Sequence, residues 1–243
     1  MKPLFTIFML SAAVSSLSAQ HLEKNVRHFN KIVVSPRINL VMVQGETESV
    51  KISCTNIDVS KINVRVKHNT LQIYLDGSRF TEKRKRVKKN GWAEKESIYS
   101  NASVTAYVTY RDMDKLVVRG EQEVEVQGAI KNRKFKLSVY GECSITLASI
   151  QTGKFKACLF GQHTLKIKSG IVDTQKYKLF GENKIDAQGI QSEEITSATY
   201  GESKLKFNAK ENLRLVTFGE SDVIIKGGAH INHLSFGHSS VNP

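Results

Sequence analysis

The chain has three cysteines and one tryptophan in 243 residues, and no long apolar run follows its first segment. Each shortage excludes something. Cys54, Cys143 and Cys158 are an odd number, so no complete disulfide framework is implied. A Cys143–Cys158 bridge is open to an exported protein, but the spacing does not require one. Past the N-terminal segment, nothing reaches the roughly 18 apolar residues that a transmembrane helix needs. Beyond residue 24 no stretch keeps apolar residues at i, i+3, i+4 and i+7, which removes amphipathic helices. Nucleophile-elbow, P-loop and dinucleotide fingerprints are missing, and with them the enzyme classes they define. Acidic residues are outnumbered, 23 against 36 Lys and Arg, for a formal charge of +13.

Residues 1–20 read as an export leader and stand outside the fold. Lys2 is the charged start, Leu4–Val14 the apolar stretch, and Ser15–Ala19 the small residues before a cut ahead of Gln20. No cysteine at that cut marks a lipid anchor. The expectation is an exported protein of the periplasm or the cell surface of a Gram-negative bacterium, with no transmembrane segment.

What the sequence does contain is a repeat. Tyr140-Gly141-Glu142, Phe160-Gly161-Gln162, Phe180-Gly181-Glu182, Tyr200-Gly201-Glu202, Phe218-Gly219-Glu220 and Phe236-Gly237-His238 follow a degenerate first copy at Arg119-Gly120-Glu121. A step near 20 residues is that of one solenoid coil. Four residues after the glycines stand Val124, Ile145, Leu165, Ile185, Leu205, Val223 and Val241. Six after them stand Val126, Leu147, Ile167, Ala187, Phe207 and Ile225. This is period-2 alternation, so each copy opens a half-buried strand. Before the glycine, Phe135, Leu137 and Val139 alternate with Lys134, Lys136 and Ser138. Stacking equivalent strands about 4.8 Å apart gives an all-β fold, a parallel β-helix or β-solenoid with aliphatic columns inside.

Residues 21–118 form a second region of strands without the repeat, expected to begin and cap the stack whose regular coils occupy 119–243. A bare stack end would leave strand edges open. Within this region, residues 78–101 are polar and aperiodic and carry Trp92 and the run Arg79–Lys89. Its basic members Arg79, Lys83, Arg84, Lys85, Arg86, Lys88 and Lys89 are a solvated excursion on the plain reading. On the sharper one they contact an anionic partner such as acidic polysaccharide, lipopolysaccharide or a membrane surface. Nucleic acid is not expected.

The N-terminal phrase Phe29-x-x-Ile32-x-Val34, then Ile38–Gly45, Leu71-x-Ile73 and the serial glycine-containing strands, resembles the GIN domain of auto-transporter adhesin heads. The resemblance spans about residues 27–239. It implies an all-β exported fold and, by the family's label, adhesion. Family members carry a small pair at the repeated bend, whereas here an aromatic precedes the glycine and Glu usually follows.

A solenoid turns repeats into stripes. The residue after each glycine gives Glu121, Glu142, Gln162, Glu182, Glu202, Glu220 and His238. Adjacent carboxylates in such a column repel by roughly 1 kcal/mol in water and about 3 kcal/mol at an effective dielectric near 20. The favoured reading compensates them locally, by hydrogen bonds at the glycine or by neighbouring lysines; the alternative is a ladder for Ca²⁺ or a cationic ligand. The residue before each glycine gives Tyr140, Phe160, Phe180, Tyr200, Phe218 and Phe236. Strict alternation turns these rings outward as a platform for sugars, but a bend that breaks the alternation buries them, and the buried corner stack is the favoured reading. Thr199, Thr217 and Ser235, two before their glycines, leave the parity open. Ligand-binding candidates are therefore Tyr140, Phe160, Phe180, Tyr200 and Phe218 with Glu142, Glu182, Glu202 and Glu220.

No catalytic residue, metal ligand set or cofactor is expected. His230, His233 and His238 give only a faint metal pattern. Glu182 and Glu202 would suit the spacing of a glycosidase pair, yet a regular ladder singles out no pair. The function expected is a non-enzymatic, adhesin-like binding module of the cell envelope for glycans or anionic envelope polymers. The alternatives are a carbohydrate-active enzyme on a β-helix, or a structural scaffold that self-associates through its coil ends.

Overall fold

Seven glycines decide how this chain winds. Gly120, Gly141, Gly161, Gly181, Gly201, Gly219 and Gly237 all have φ between 97° and 133°, a region closed to residues with a Cβ. They also lie on one another. A Cβ built on Gly161 would sit 2.0 Å from the carbonyl oxygen of Gly141, and one on Gly181 2.5 Å from that of Gly161. The glycine therefore sets both the kink in each coil and the close approach of one coil to the next.

The computed structural model describes residues 20–89 and 91–242. The expected leader lies outside them, except for Gln20, which opens the first strand. The first half contributes β1 (Gln20–Asn25), β2 (Lys31–Val34), β3 (Asn39–Gln44) and β4 (Ser49–Thr55). After a 3-10 turn at Val59–Lys61 come β5 (Ile62–Lys67) and β6 (Thr70–Leu75). A separate hairpin, β7 (Arg84–Lys89) and β8 (Trp92–Ser97), precedes β9 (Ser103–Tyr110). The remainder is β10 (Lys115–Ile167), β11 (Gly170–Asp186), β12 (Ile190–Lys226) and β13 (His230–Asn242). Strands longer than one coil arise because the chain stays extended through the glycine kinks.

The order in the main sheet is β1-β4-β9-β3-β10-β11-β12-β13, with β2, β6 and β5 branching from β10. Pairing is parallel and in register by repeat: Gly161 lies beside Gly181, Gly181 beside Gly201, and Gly219 beside Gly237. The fold is a β-solenoid. At the start of the stack the sense changes, since β4 runs antiparallel to β9, β1 to β4, and β5 to β6. The strands that close this end are short: β1 and β5 have six residues each. Position 119 falls inside β10, whose first residues already pair with β2.

The interior follows the alternation. The columns four and six residues past the glycines are buried from Val124 and Val126 through Val223 and Ile225. Filling them contributes about 1.5–3 kcal/mol per large side chain, measured from the extended chain. Phe135, Phe155, Tyr177 and Phe207 add an inner aromatic run, with centroids 5.7, 5.9 and 5.0 Å apart. Cys143 and Cys158 are not bridged.

Candidate functional site at the glycine column

Two residues before the glycines, Val139, Leu159, Leu179, Thr199 and Thr217 are all buried. The parity therefore holds in the later coils, and the residue before the glycine must point out. The buried corner stack that the bends suggested is not formed. Tyr140, Phe160, Tyr200 and Phe218 are 38–42% exposed and Phe236 is 55% exposed, with Phe180 half-buried between its neighbours. Alternation survives across the glycine, since Cys143, His163, Asn183, Ser203 and Ser221, two residues after it, are buried in phase with the residues two before it.

The rings form one stack. Centroids of successive rings from Tyr140 to Phe236 lie 5.2, 4.7, 4.9, 5.1 and 4.8 Å apart, within 3–6° of parallel. Their faces are consequently taken up by each other, and what solvent meets is a stripe of ring edges. A sugar ring stacks on an aromatic face, and the interior rungs offer ring edges instead. Arg119 holds the ring's place in the degenerate first copy. Its guanidinium lies 5.8 Å from the Tyr140 ring and 5.5 Å from Phe80. Arg79 continues the line over Phe80 and Tyr74, and Arg65 sits 5.0 Å over Tyr74. The stack thus continues into the first half as alternating cations and rings. Sequence reasoning missed this extension, although Arg119 directly before Gly120 was its signal.

On the other side of the glycines runs a groove of about 640 Å³. One wall is the row after the glycine, including Glu142, Glu182, Glu202 and Glu220. The other is the row three after it, including Thr164, Lys184, Lys204 and Asp222. Both rows are exposed, and the buried row between them forms the floor. The wall carboxylates are not compensated as expected. The described ion pairs are His28–Glu48 and Arg37–Glu82, and no described hydrogen bond involves Glu142, Glu182, Glu202 or Glu220. Lys184 and Lys204 stand across the groove instead. Among the described residues no group of three or more His, Cys, Asp and Glu is placed to hold a metal ion.

The floor is polar and uncharged. Burial pushes the Cys143 thiol up to about 11 and lowers the basicity of His163. His163 Nδ1 accepts the Cys143 backbone N–H at 3.2 Å, which puts the proton of the neutral ring on Nε2. That Nε2 has no hydrogen-bond partner in the protein; nor do the Asn183 amide and the hydroxyls of Ser203 and Ser221. All four residues are more than nine-tenths buried. Elsewhere in the interior, Gln175 Nε2 donates to Ser192 Oγ at 2.6 Å and Tyr177 donates to Gln175, while the Tyr110 and Ser197 hydroxyls also lack a partner. Each unmatched group costs roughly 1–3 kcal/mol, and those of His163, Asn183, Ser203 and Ser221 follow one another along the groove floor.

Residues 28–229 match the family model described as "Putative auto-transporter adhesin, head GIN domain". The chain belongs to the GIN-domain family. Solved structures share the fold at low identity. A putative adhesin from Bacteroides fragilis aligns with TM-score 0.73 and 17% identity, covering 93% of this chain and 97% of that one. One from Parabacteroides merdae gives 0.68 and 14%, covering 93% and 96%. A Parabacteroides distasonis protein titled a putative lipid binding protein gives 0.61 and 15%, covering 93% and 97%. No curated protein matches the chain in sequence. Membership in the GIN family accords with a surface or exported protein of adhesin type, and no described helix is long and apolar enough to cross a membrane.

The basic residues separate into two groups in this GIN domain. Arg79 is held on the body, over Tyr74 and Phe80, and donates to Gln72 at 3.0 Å. Arg84, Lys85, Arg86, Lys88 and Lys89 lie on β7, and Lys83 sits at the foot of that hairpin. Within the excursion of residues 78–101, Arg84–Lys89 pairs antiparallel with Trp92–Ser97.

Proposed function

We propose that this protein is a non-enzymatic, adhesin-like binding module of the cell envelope, holding a linear uncharged glycan lengthwise in the groove beside the glycine column. The observation that carries this reading is the row of exposed, unpaired carboxylates repeated from rung to rung above a polar floor. Carboxylates accept hydrogen bonds from sugar hydroxyls, and a bond to a charged group contributes about 1.5–3 kcal/mol. A repeat matched by a repeating ligand gains further from multivalency. The lining carries Glu142, Glu182, Glu202, Glu220 and Asp222 against Lys184 and Lys204, which disfavours an anionic polymer in this groove. The acids recur in the same setting on successive rungs, which suits holding a chain better than cutting it at one bond.

The test is a glycan array on the mature protein and on a Glu182→Ala/Glu202→Ala variant. Both side chains are exposed and unpaired, so the variant keeps its fold. Binding to an uncharged glycan that falls tenfold or more in the variant supports the reading. Unchanged binding, or binding confined to anionic glycans, overturns it.

A further inference from the structure

The hairpin β7–β8 is a second surface, built differently from the groove and unconnected with it. Its foot is fixed to the body. Arg37 Nε donates to Glu82 Oε1 at 2.7 Å, Ser97 donates to the same carboxylate, and Tyr99 donates to the Asp76 carbonyl at 2.9 Å. Beyond that foot the two strands pair only with each other. Six residues per strand at about 3.4 Å each make an arm of roughly 20 Å, longer than the ~8 Å over which charge acts at physiological salt. Whatever the tip meets, the body does not screen it.

The register sorts the arm's charges onto its two faces, because directly opposed residues share a face. On one face Arg84 opposes Ser97, Arg86 opposes Lys95, and Lys88 opposes Ala93. That face holds four cations and no acid. On the other, Lys85 opposes Glu96, Val87 opposes Glu94 and Lys89 opposes Trp92, so opposite charges offset one another on the face that carries the indole. Setting Arg86 against Lys95 weakens the hairpin itself, so the cation face is no device for strand pairing. At the end of the arm, next to the turn at Gly91, Trp92 is 79% exposed, more than any other large apolar residue described. Although Trp92 and the cation face lie on opposite sides of the arm, they meet at its tip, where Lys88 is one strand position from the Lys89–Trp92 pair. An indole at headgroup level with a cation beside it matches an anionic bilayer interface.

We infer that the hairpin is a membrane-surface anchor that docks tip-first on a bilayer rich in anionic phospholipid, with Trp92 in the interface and the cations towards the tip, Lys88 first and then Arg86 and Lys95, facing the headgroups. The inference stands apart from the glycan reading, and either can fail while the other holds.

Trp92 is the only tryptophan, so its fluorescence reports on this tip alone. The experiment titrates the mature protein with vesicles of phosphatidylglycerol and phosphatidylcholine, and separately with phosphatidylcholine alone. The expected result is a blue shift with the anionic vesicles only, reversed by high salt. Lys88→Gln weakens binding about fivefold, the loss of one near-surface cation, while Lys85→Gln, whose charge Glu96 already offsets, changes it little. Both positions are exposed, and neither substitution disturbs the fold. The inference is overturned by no shift with anionic vesicles, by an equal shift with neutral ones, or by equal losses in the two variants. A shift produced as strongly by soluble dextran sulfate overturns it too, and assigns the hairpin to acidic polymers.

Discussion

The aromatic stack is half in solvent, so its contribution to stability has to come from ring against ring, and that is measurable. Phe180 has two stacked neighbours, Phe160 at 4.7 Å and Tyr200 at 4.9 Å. Each aromatic pair is worth about 0.5–1.5 kcal/mol beyond its buried area, and half-burial of the ring adds about 1 kcal/mol. Phe180→Ala should therefore cost about 2–4 kcal/mol. Phe236 has one stacked neighbour, Phe218 at 4.8 Å, and is 55% exposed, so Phe236→Ala should cost about half as much. For a chain of this size, a loss near 3 kcal/mol lowers the melting temperature by roughly 6–12 °C. Urea and thermal unfolding followed by far-ultraviolet circular dichroism compare the two variants, and Phe180→Leu separates apolar area from stacking. A double-mutant cycle between Phe160→Ala and Phe180→Ala should return a coupling of about 0.5–1.5 kcal/mol. Equal costs at Phe180 and Phe236, or a coupling near zero, would refute the account of the stack as a structural ladder.

Two further outcomes follow from the same rungs. Gly181→Ala places a methyl group 2.5 Å from the Gly161 carbonyl oxygen at a φ of 97°, and the backbone conformation alone costs about 1–3 kcal/mol. Gly228→Ala, where nothing lies within 4 Å, should be neutral or slightly stabilising, so similar unfolding midpoints for the two would sink the steric argument. His163 is held neutral by burial. Above the unfolded histidine value near 6.5, both states leave the ring unprotonated; as pH falls below it, the unfolded chain takes up the proton first and stability drops. Melting temperatures between pH 7.5 and pH 5 should therefore fall more steeply in the native chain than in His163→Asn, and parallel slopes would remove His163 as the cause.

How much of this was legible in the sequence depends on which physical constraint each residue answers to. The solenoid was legible because Gly141, Gly161, Gly181 and Gly201 recur where a Cβ cannot exist, and because Ile145 and Leu147 with their counterparts alternate on a strand period. The direction of the aromatic column was not. Thr199 and Thr217 are inward-facing residues of polar type, and a reading based on hydrophobicity cannot tell a buried threonine from an exposed one. The kink at the glycine made broken alternation the natural expectation, yet the burial phase carries across it, from Val139 before Gly141 to Cys143 after it. The expected compensation of the glutamates failed for a related reason. Local spacing brings Lys178 or Lys184 near Glu182 in the chain, but a lysine on an exposed wall of a groove is held apart from the opposite wall, so proximity in sequence does not become an ion pair. The hairpin shows the converse. Arg79–Lys89 reads as one basic run, and only the register reveals that Lys85 is offset by Glu96 while Arg86 faces Lys95, since a charge's effect is fixed by what lies across the strand and not by what lies beside it in the chain.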